Sequence, residues 1–357
     1  MSDTQTNRGY AWGLQTNFTT QKTIAAGALK QILAMDNNFI DYTPATKDDE
    51  DWAHGVNSAT DQWIEAHDAN VQHSIPGHSQ ELGKVFYLNL GQYQVATPSG
   101  GTTSKEHSFK PTDPTVTRQD KSVTYAEYFG AGWNVLMPRA VSDGFTLKGD
   151  GLGVLTCDFS LLGAGLIIPN SGVTWYPTAT PTVTRLSGLH KLFNTQVGLV
   201  VTDGGTPTTY ACRYRSFEVA FKKTMLSDAG YKPGGGDFAI AGTSTSGVIR
   251  SAHEFDKQMV DFSFVVDMAT GSPEFIAVQQ QKPLDILLTA TGGIIEGSIA
   301  HKLSVILPLI KYKTSKPTVT NGIATFTISG KAFYDFTSNK MLEIKLINDV
   351  LTYASAF

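Results

Sequence analysis

Apolar and polar residues alternate with a period of two along most of this chain. The segment LTCDFSL at 155–161 places Leu, Cys, Phe and Leu on one side and Thr, Asp and Ser on the other. Successive side chains of a β-strand point to opposite faces, so this period indicates half-buried strands. The same pattern occurs in five further segments: 217–222, 261–266, 303–309, 325–328 and 342–346. The sequence therefore predicts a mainly β protein with antiparallel strands.

Helical periodicity is limited to two short segments. In Ser58–Val71, the spacing of Trp63, Ile64 and His67 would place them on one face of a helix. The second segment is Pro273–Gln280, with Ser272 as the N-cap and proline at the first helical position. We expect both as short helices flanking the strands.

A stretch rich in proline and free of charge lies near the middle of the chain, at Pro169–Thr184. Such a composition suits an extended connection better than a sheet interior. A chain of 357 residues is also long enough for two domains of about 150 residues each. We therefore expect two β domains, residues 1–175 and 176–357. Their similar length and element order suggest an internal duplication.

The charge pattern argues against a nucleic-acid-binding protein. The chain has 28 Lys and Arg against 32 Asp and Glu, a net charge of −4, and only 17% of its residues are charged. Binding to phosphates requires a dense positive patch, which this composition does not supply. The most acidic run is Asp48, Asp49, Glu50 and Asp51. A solvated loop is the ordinary interpretation of such a run, and a specific contact is the alternative.

Membrane insertion and export are not predicted. No segment approaches the roughly 20 consecutive apolar residues that cross a bilayer, and the polar start of the chain has no apolar signal core. We expect a protein made and used in a cytoplasm. Its two cysteines, Cys157 and Cys212, lie in alternating apolar runs and are expected to be buried thiols.

The histidines were considered as metal ligands. His54, His67, His73 and His78 lie within 25 residues, but their spacing does not match the i, i+4 pair of a helical zinc site. Surface or interface histidines are the better interpretation, so we expect no metal. GDGLG at 149–153 leads directly into a strand and is interpreted as a hairpin turn, and KPGGGD at 232–237 as a flexible loop. We expect no cofactor.

No arrangement of residues indicates catalysis. The chain lacks a G-x-S-x-G nucleophile motif, and a carboxylate pair such as Asp261 with Glu274 needs a separation that sequence does not give. We expect no enzyme activity. Clustered aromatic residues, including Trp133 and Trp175, mostly indicate core packing. They also fit a carbohydrate-binding β-sandwich module, which is the alternative functional class.

Seven segments distributed over both halves of the chain share their order with one known protein family. In the first half they are EHSFKPTD at 106–113, YAEYFGAGWNVL at 125–136 and GFTLKGDGLGVLTCDFSLLGAG at 144–165. In the second half they are YRSFEVAFKKTM at 214–225, MVDFSFVVDM at 259–268, PLDILLTATGG at 283–293 and LEIKLINDVLTY at 342–353. In these segments the chain resembles the two-domain tail tube, or major tail, proteins of long-tailed bacteriophages, and the resemblance covers nearly the whole chain.

The resemblance implies tandem tail-tube-type β-sandwich or barrel domains with short flanking helices. It further implies self-assembly into stacked rings that form a conduit for DNA ejection, in a virion tail assembled in the host cytoplasm. The implied partners are other copies of the chain and the tape measure, tail terminator and distal tail proteins. DNA would pass through the lumen without specific binding. Asp48, Asp49, Glu50 and Asp51 are then candidates for contacts between rings.

The expected duplication also affects the expected number of chains per ring. Two tube domains per chain would let three chains supply six domains, so a trimeric pseudo-hexamer is the first expectation. Six chains per ring is the alternative, should the second half be an outer decoration. Open sheet edges, expected at 303–309 and 326–328, would be satisfied by pairing between subunits.

Overall fold

The computed structural model describes residues 9–15, 29–36, 38–48, 62–112, 121–128, 134–164, 168–170, 190–209, 214–225, 255–268, 273–320 and 322–355. Strands dominate these residues, which confirms the mainly β class. The elements before residue 171 are β1 (Gly9–Leu14), β2 (Lys30–Gln31), β3 (Asp41–Asp48), β4 (Gln62–Pro76), α1 (Ser79–Asn89), β5 (Gln92–Ala96), β6 (Lys105–Lys110), β7 (Val123–Tyr128), β8 (Asn134–Asp150), β9 (Thr156–Leu162) and β10 (Ile168–Asn170).

The elements after residue 189 follow a similar order. They are β11 (Val197–Asp203), β12 (Thr206–Thr209), β13 (Tyr214–Met225), β14 (Phe255–Asp267), α2 (Pro273–Gln280), β15 (Leu284–Glu296), β16 (Ile299–Thr320), β17 (Ile323–Ala332) and β18 (Glu343–Asn348). A single 3-10 turn precedes β11, at Asn194–Gln196. The predicted boundary at 175/176 and most of the proline-rich stretch lie outside the described residues.

The strand pairing repeats between the two halves of the chain. β1 pairs with β2 and β7, as β11 pairs with β12 and β15. β4 pairs with β3 and β9, as β14 pairs with β13 and β17. β8 pairs with β7, β9 and β10, as β16 pairs with β15, β17 and β18. Each helix follows the same strand of its set, α1 after β4 and α2 after β14. The internal duplication expected from element order is thus present in the topology.

Three further pairings lie outside this repeat. The hairpin β5–β6 is an insertion in the first half, and β6 pairs with β18 of the second half. β8 pairs with β13 and thereby joins the two halves in one antiparallel sheet. This sheet, named here the main sheet, has the order β3–β4–β9–β8–β13–β14–β17–β16. It contains eight strands, four from each half.

The core lies between the main sheet and the remaining strands, with α1 in the middle. Ten of the eleven residues of α1 are buried. The Phe86 ring of α1 contacts Phe109 of β6 at 5.9 Å and Phe145 of β8 at 5.1 Å. Gly83 leaves the space that Tyr353 fills, since a Cβ there would lie 1.9 Å from the tyrosine ring. The helix is therefore packed on both sides.

Two of the predicted elements are confirmed. α2 spans the predicted segment Pro273–Gln280. GDGLG forms the turn of the β8–β9 hairpin, with Gly151 at a φ of +52°. Cys157 is fully buried, as expected, and burial raises the pKa of its thiol well above the usual range.

Two other expectations are wrong. The helix predicted at 58–71 is strand β4 from Gln62 onward, because Ala69, Val71, His73 and Ile75 are buried in alternation. The segments 303–309 and 326–328 are not sheet edges. The first is paired with β15 and β18, and the second with β14 and β16.

Candidate assembly interface

The two halves of the main sheet meet at the β8–β13 pair, named here the seam. Seven residue pairs form it, from Gly144 opposite Lys222 to Asp150 opposite Ser216. Gly144 permits the close approach of the strands, because a Cβ at this position would lie 2.3 Å from the carbonyl oxygen of Phe221. The seam is a continuous antiparallel ladder with a packed aromatic pair.

The outer strands of the main sheet are the topological equivalents of the two seam strands. β16 corresponds to β8, and β3 corresponds to β13. Within the described part of the chain, β3 pairs only with β4, and Lys311–Thr320 of β16 pair only with β17. Each outer strand therefore has one edge on which backbone groups are available for pairing. β16 and β3 run in opposite directions across the sheet, so a β16–β3 pair between two copies would also be antiparallel.

The register of such a pair follows from the repeat. β8 has a bulge between Ser142 and Gly144, and β16 has one between Tyr312 and Thr314. Aligning the bulges places Thr314–Thr320 where Gly144–Asp150 lie. Aligning β3–β4 with β13–β14 in the same way places residues 38–43 where Phe217–Lys222 lie. In this register Lys316 of one copy would face Asp41 of the next, so opposite charges would meet.

Both outer edges also carry exposed apolar side chains. Near β3, Met35 is 60% exposed and Tyr42 41% exposed. At the tip of the β16–β17 hairpin, Val319 is 70% exposed and Ile323 46% exposed. The register derived above brings Val319 next to the segment at 38–40, which includes the exposed Phe39. Contact between copies would remove these side chains from water.

The free edge of each outer strand contains one proline, Pro44 in β3 and Pro317 in the Lys311–Thr320 part of β16. A proline removes one backbone N–H from a ladder and is tolerated at sheet edges. The other residues of each free edge keep their N–H groups. A single proline therefore limits non-specific pairing of the edge and leaves most of the ladder intact.

A buried hydrogen-bonded chain holds the segment before β3 in place. His73 Nδ1 lies 2.8 Å from the Asp36 carboxylate, and His73 Nε2 lies 2.6 Å from the Tyr125 hydroxyl. Tyr125 donates to Glu127 Oε1 at 3.0 Å, and this oxygen also accepts the backbone N–H of Ile40 at 2.8 Å. The chain thus connects the interior to residues 36–40 of the edge.

Burial shifts the titration of this chain of groups. Burial raises the pKa of Glu127 to about 7, although the hydrogen bonds from Tyr125 and Ile40 act to lower it. Burial also lowers the pKa of His73, although the hydrogen bond and the negative charge of Asp36 act to raise it. Sequence reasoning did not connect these residues, because they come from three separate segments: residues 36–40, β4 and β7. The only local feature of the sequence that pointed to this arrangement is that His73 occupies an apolar position in an alternating strand.

The exposed face of the main sheet is polar and close to charge balance. Side chains on this face alternate with the buried ones along the central strands β9, β8, β13, β14 and β17. Many are Ser and Thr, and Lys148 pairs with Asp158 at 2.8 Å. The charged residues in the central part of this face are three lysines and four acids: Lys148, Lys222, Lys331, Asp150, Asp158, Glu218 and Asp261. This face offers no dense positive patch for phosphates.

Most of the residues selected from sequence lie outside the described part of the chain. Asp48 is the last residue of β3. Asp49, Glu50 and Asp51 follow it in the undescribed segment 49–61. The end of β3 at Asp48 and the start of β4 at Gln62 lie at the same end of the main sheet as the end of β13 and the start of β14. Trp133 and Trp175, the candidates for sugar binding, also lie outside the described residues.

Comparison with known proteins identifies no relative. No protein-family model matches the chain, and no curated protein sequence matches it. Among the described residues, no helix is long and apolar enough to span a membrane. The geometry of the chain itself is therefore the basis for a functional proposal.

Proposed function

We propose that this chain is a structural virion protein that assembles head to tail into rings, which stack into the tail tube of a long-tailed bacteriophage. The observation that carries the proposal is the equivalence between the seam and the outer edges of the main sheet. Each chain already contains one β8–β13 pair, and its free edges are the matching partners for the same pair between chains. A head-to-tail contact of this kind closes into a ring when its rotation divides a full turn evenly.

Three chains per ring is the proposed stoichiometry. Each main sheet has eight strands in two equivalent halves, so three chains give 24 strands and six equivalent units. A closed barrel of 24 strands, spaced about 4.8 Å apart and tilted by about 40°, has a backbone diameter of roughly 50 Å. That is wider than a DNA duplex. Six chains per ring is the alternative. The measured mass of a ring distinguishes three chains from six.

The faces of the main sheet support an assignment of inside and outside. One face packs against α1 and the strands outside the main sheet, and the other face is exposed and polar. The packed layers add bulk on one face only, so that face is proposed to lie outside the ring. The polar face then lines the lumen. Its balanced lysines and acids offer no continuous binding track for phosphates, as passage of DNA without specific binding requires.

The position of Asp48 supports a role for the acidic run between rings. Asp48 ends β3 at one rim of the main sheet, where stacked rings would touch. The tape measure, tail terminator and distal tail proteins are the proposed partners at the lumen and at the two ends of the tube. The proposed location is the virion tail, assembled in the host cytoplasm, and no catalytic activity is proposed.

The assembly is tested with purified full-length chain by sedimentation over a range of concentrations and by negative-stain microscopy. We expect trimers and stacked tubes with a regular axial repeat. Asp41→Cys combined with Lys316→Cys should crosslink neighbouring chains under mild oxidation, and each single variant should not. Thr43→Cys with Lys316→Cys is the control, since this pair is two residues out of register.

The possible outcomes separate the parts of the proposal. If tubes form but the cysteines at positions 41 and 316 do not crosslink, the derived register is wrong and the tube proposal stands. A chain that stays monomeric at every concentration, alone and with other phage tail proteins, overturns the function. Glycan binding by that monomer, lost on changing Trp133 or Trp175, would favour the carbohydrate-binding module.

A further inference from the structure

Three histidines from distant parts of the chain meet at the start of α1. His78 immediately precedes the helix, whereas His190 and His301 lie 112 and 223 residues further along. The rings of His190 and His301 are 4.5 Å apart, and His78 stacks on His190 at 5.1 Å with an interplanar angle of 4°. Asp349, just after β18, completes the group. Donor atoms of His190, His301 and Asp349 all lie within 4.8 Å of one another.

The hydrogen bonding of this cluster is incomplete. His78 is only 2% exposed, and neither of its ring nitrogens has a hydrogen-bond partner. Nδ1 of His190 is also buried without one. Buried polar side-chain atoms nearly always have a partner, from protein, ordered water or an ion, because leaving them without one costs about 1–3 kcal/mol. Several unpartnered nitrogens in one place therefore indicate a bound group.

Neighbouring side chains orient two of the donors as metal sites require. His301 Nδ1 lies 3.0 Å from the Ser79 hydroxyl, which leaves Nε2 as the donor. The Gln80 amide donates to Asp349 Oδ1 at 2.7 Å, which leaves the second carboxylate oxygen. Hydrogen bonds of this kind fix the tautomer and direction of metal ligands.

We propose that His190, His301 and Asp349 bind one divalent transition-metal ion of the zinc class, with a bound water in the fourth position that hydrogen-bonds to His78. Imidazole and carboxylate donors with one open position are a common zinc-binding set. The ion would join the segment before β11, strand β16 and the segment after β18, all in the second half of the chain. Its bound water would connect this site to His78 at the start of α1, in the first half. This inference does not depend on the proposed tube.

The ligand spacing explains why the sequence predicted no metal. The histidines that lie close together in sequence, His54 to His78, were considered as one cluster. In the structure His73 belongs to the buried chain with Asp36 and Tyr125, and only His78 lies at the new cluster. Its partners there come from the second half of the chain.

The test uses untagged full-length protein treated with a chelator and then titrated with Zn²⁺ or Co²⁺. We expect one equivalent to bind, a visible Co²⁺ spectrum typical of four-coordinate sites, and a melting temperature several degrees higher with metal than without. His190→Ala and Asp349→Asn should weaken binding at least 100-fold and abolish the metal-dependent rise in melting temperature. Asp256→Asn, an exposed change at the start of β14, is the matched control and should keep both.

The role of His78 has its own measurement. His78→Phe keeps a ring in the stack but removes both nitrogens. It should retain one equivalent of metal with about 10–100-fold weaker affinity, the usual cost of losing a group that supports a ligand. The proposal is overturned if the folded protein retains no metal and shows no Co²⁺ spectrum. It is also overturned if Asp349→Asn and Asp256→Asn bind metal equally well.

Discussion

Phe145 of β8 lies directly opposite Phe221 of β13, and their rings stack with centroids 5.7 Å apart. Both side chains are buried. The two halves of the chain are thus joined by core packing as well as by a backbone ladder. In the proposed pair between chains, Ser315 would take the place of Phe145 and Tyr42 that of Phe221. The proposed contact is accordingly less apolar than the seam, as suits subunits that must fold before they assemble.

The first prediction concerns Gly144. Gly144→Ala should lower the free energy of unfolding by about 1–3 kcal/mol, because the added Cβ forces β8 and β13 apart. Denaturant unfolding measures this. Gly198→Ala is the control, since its Cβ would lie 3.9 Å from the nearest oxygen, an ordinary contact. Equal stability of the two variants would argue against close packing at the seam.

The second prediction concerns the charges at the outer edges. Lys316→Asp and Asp41→Lys should each slow ring formation, because each places like charges opposite one another between chains. The double variant restores opposite charges and should assemble nearly as the unchanged protein does. Sedimentation at low salt measures the effect, which weakens as salt screens the charges. A double variant no better than the single ones would contradict the derived register.

The third prediction concerns the acidic run. Changing Asp48, Asp49, Glu50 and Asp51 to Ser should leave the thermal unfolding of the subunit unchanged and impair stacking of rings into tubes. Microscopy distinguishes single rings from tubes. The control replaces the exposed acids Asp256 and Asp203 with Ser, and these variants should stack normally. Tubes of normal length from the fourfold variant would refute a role between rings.

The fourth prediction is a pH dependence from Glu127. Because burial raises the pKa of Glu127 in the folded state to about 7, from the ordinary glutamate value of 4.5, the folded state favours the protonated carboxyl. This contribution is complete below pH 4.5 and is lost as pH rises to about 7, a change on the order of 3 kcal/mol. Glu127→Gln should remove it.

The measurement compares denaturant unfolding at pH 5 and pH 8. The unchanged protein should lose more stability over this interval than Glu127→Gln does, since other groups titrate equally in both. Glu106→Gln, at a half-exposed position, should behave as the unchanged protein. Identical pH profiles for all three proteins would contradict the assignment to Glu127.

Strands were predictable from the sequence because alternation is a local signal. The segment at 155–161 is strand β9 over Thr156–Leu162, with Cys157, Phe159 and Leu161 buried as predicted. α1 was missed for the opposite reason. With almost every residue buried, including Glu81 and Lys84, the helix has no polar face and so no period of 3.6 to detect.

Which strands pair with one another was harder to predict from the sequence than where the strands occur. The segments at 303–309 and 326–328 were predicted as edges from their lack of protective residues. In the structure they are interior strands, which need no such protection. Composition along one strand does not say which strands lie beside it. The histidine cluster was missed for a similar reason, because its members come together only when α1 packs against β16 and β18.

The position of β18 between β6 and β16 has a consequence for the synthesis of the protein. β6 ends at Lys110 and its partner strand ends at Asn348, so at 5–20 residues per second the ribosome takes roughly 10–50 seconds to supply the missing strand. Tyr353, whose side chain packs against Gly83 of α1, emerges later still. A product of interrupted translation therefore lacks the closing strand of the fold. Such fragments keep an unfinished core, so in the proposed tube they would be poorly incorporated and the growing polymer would exclude defective subunits.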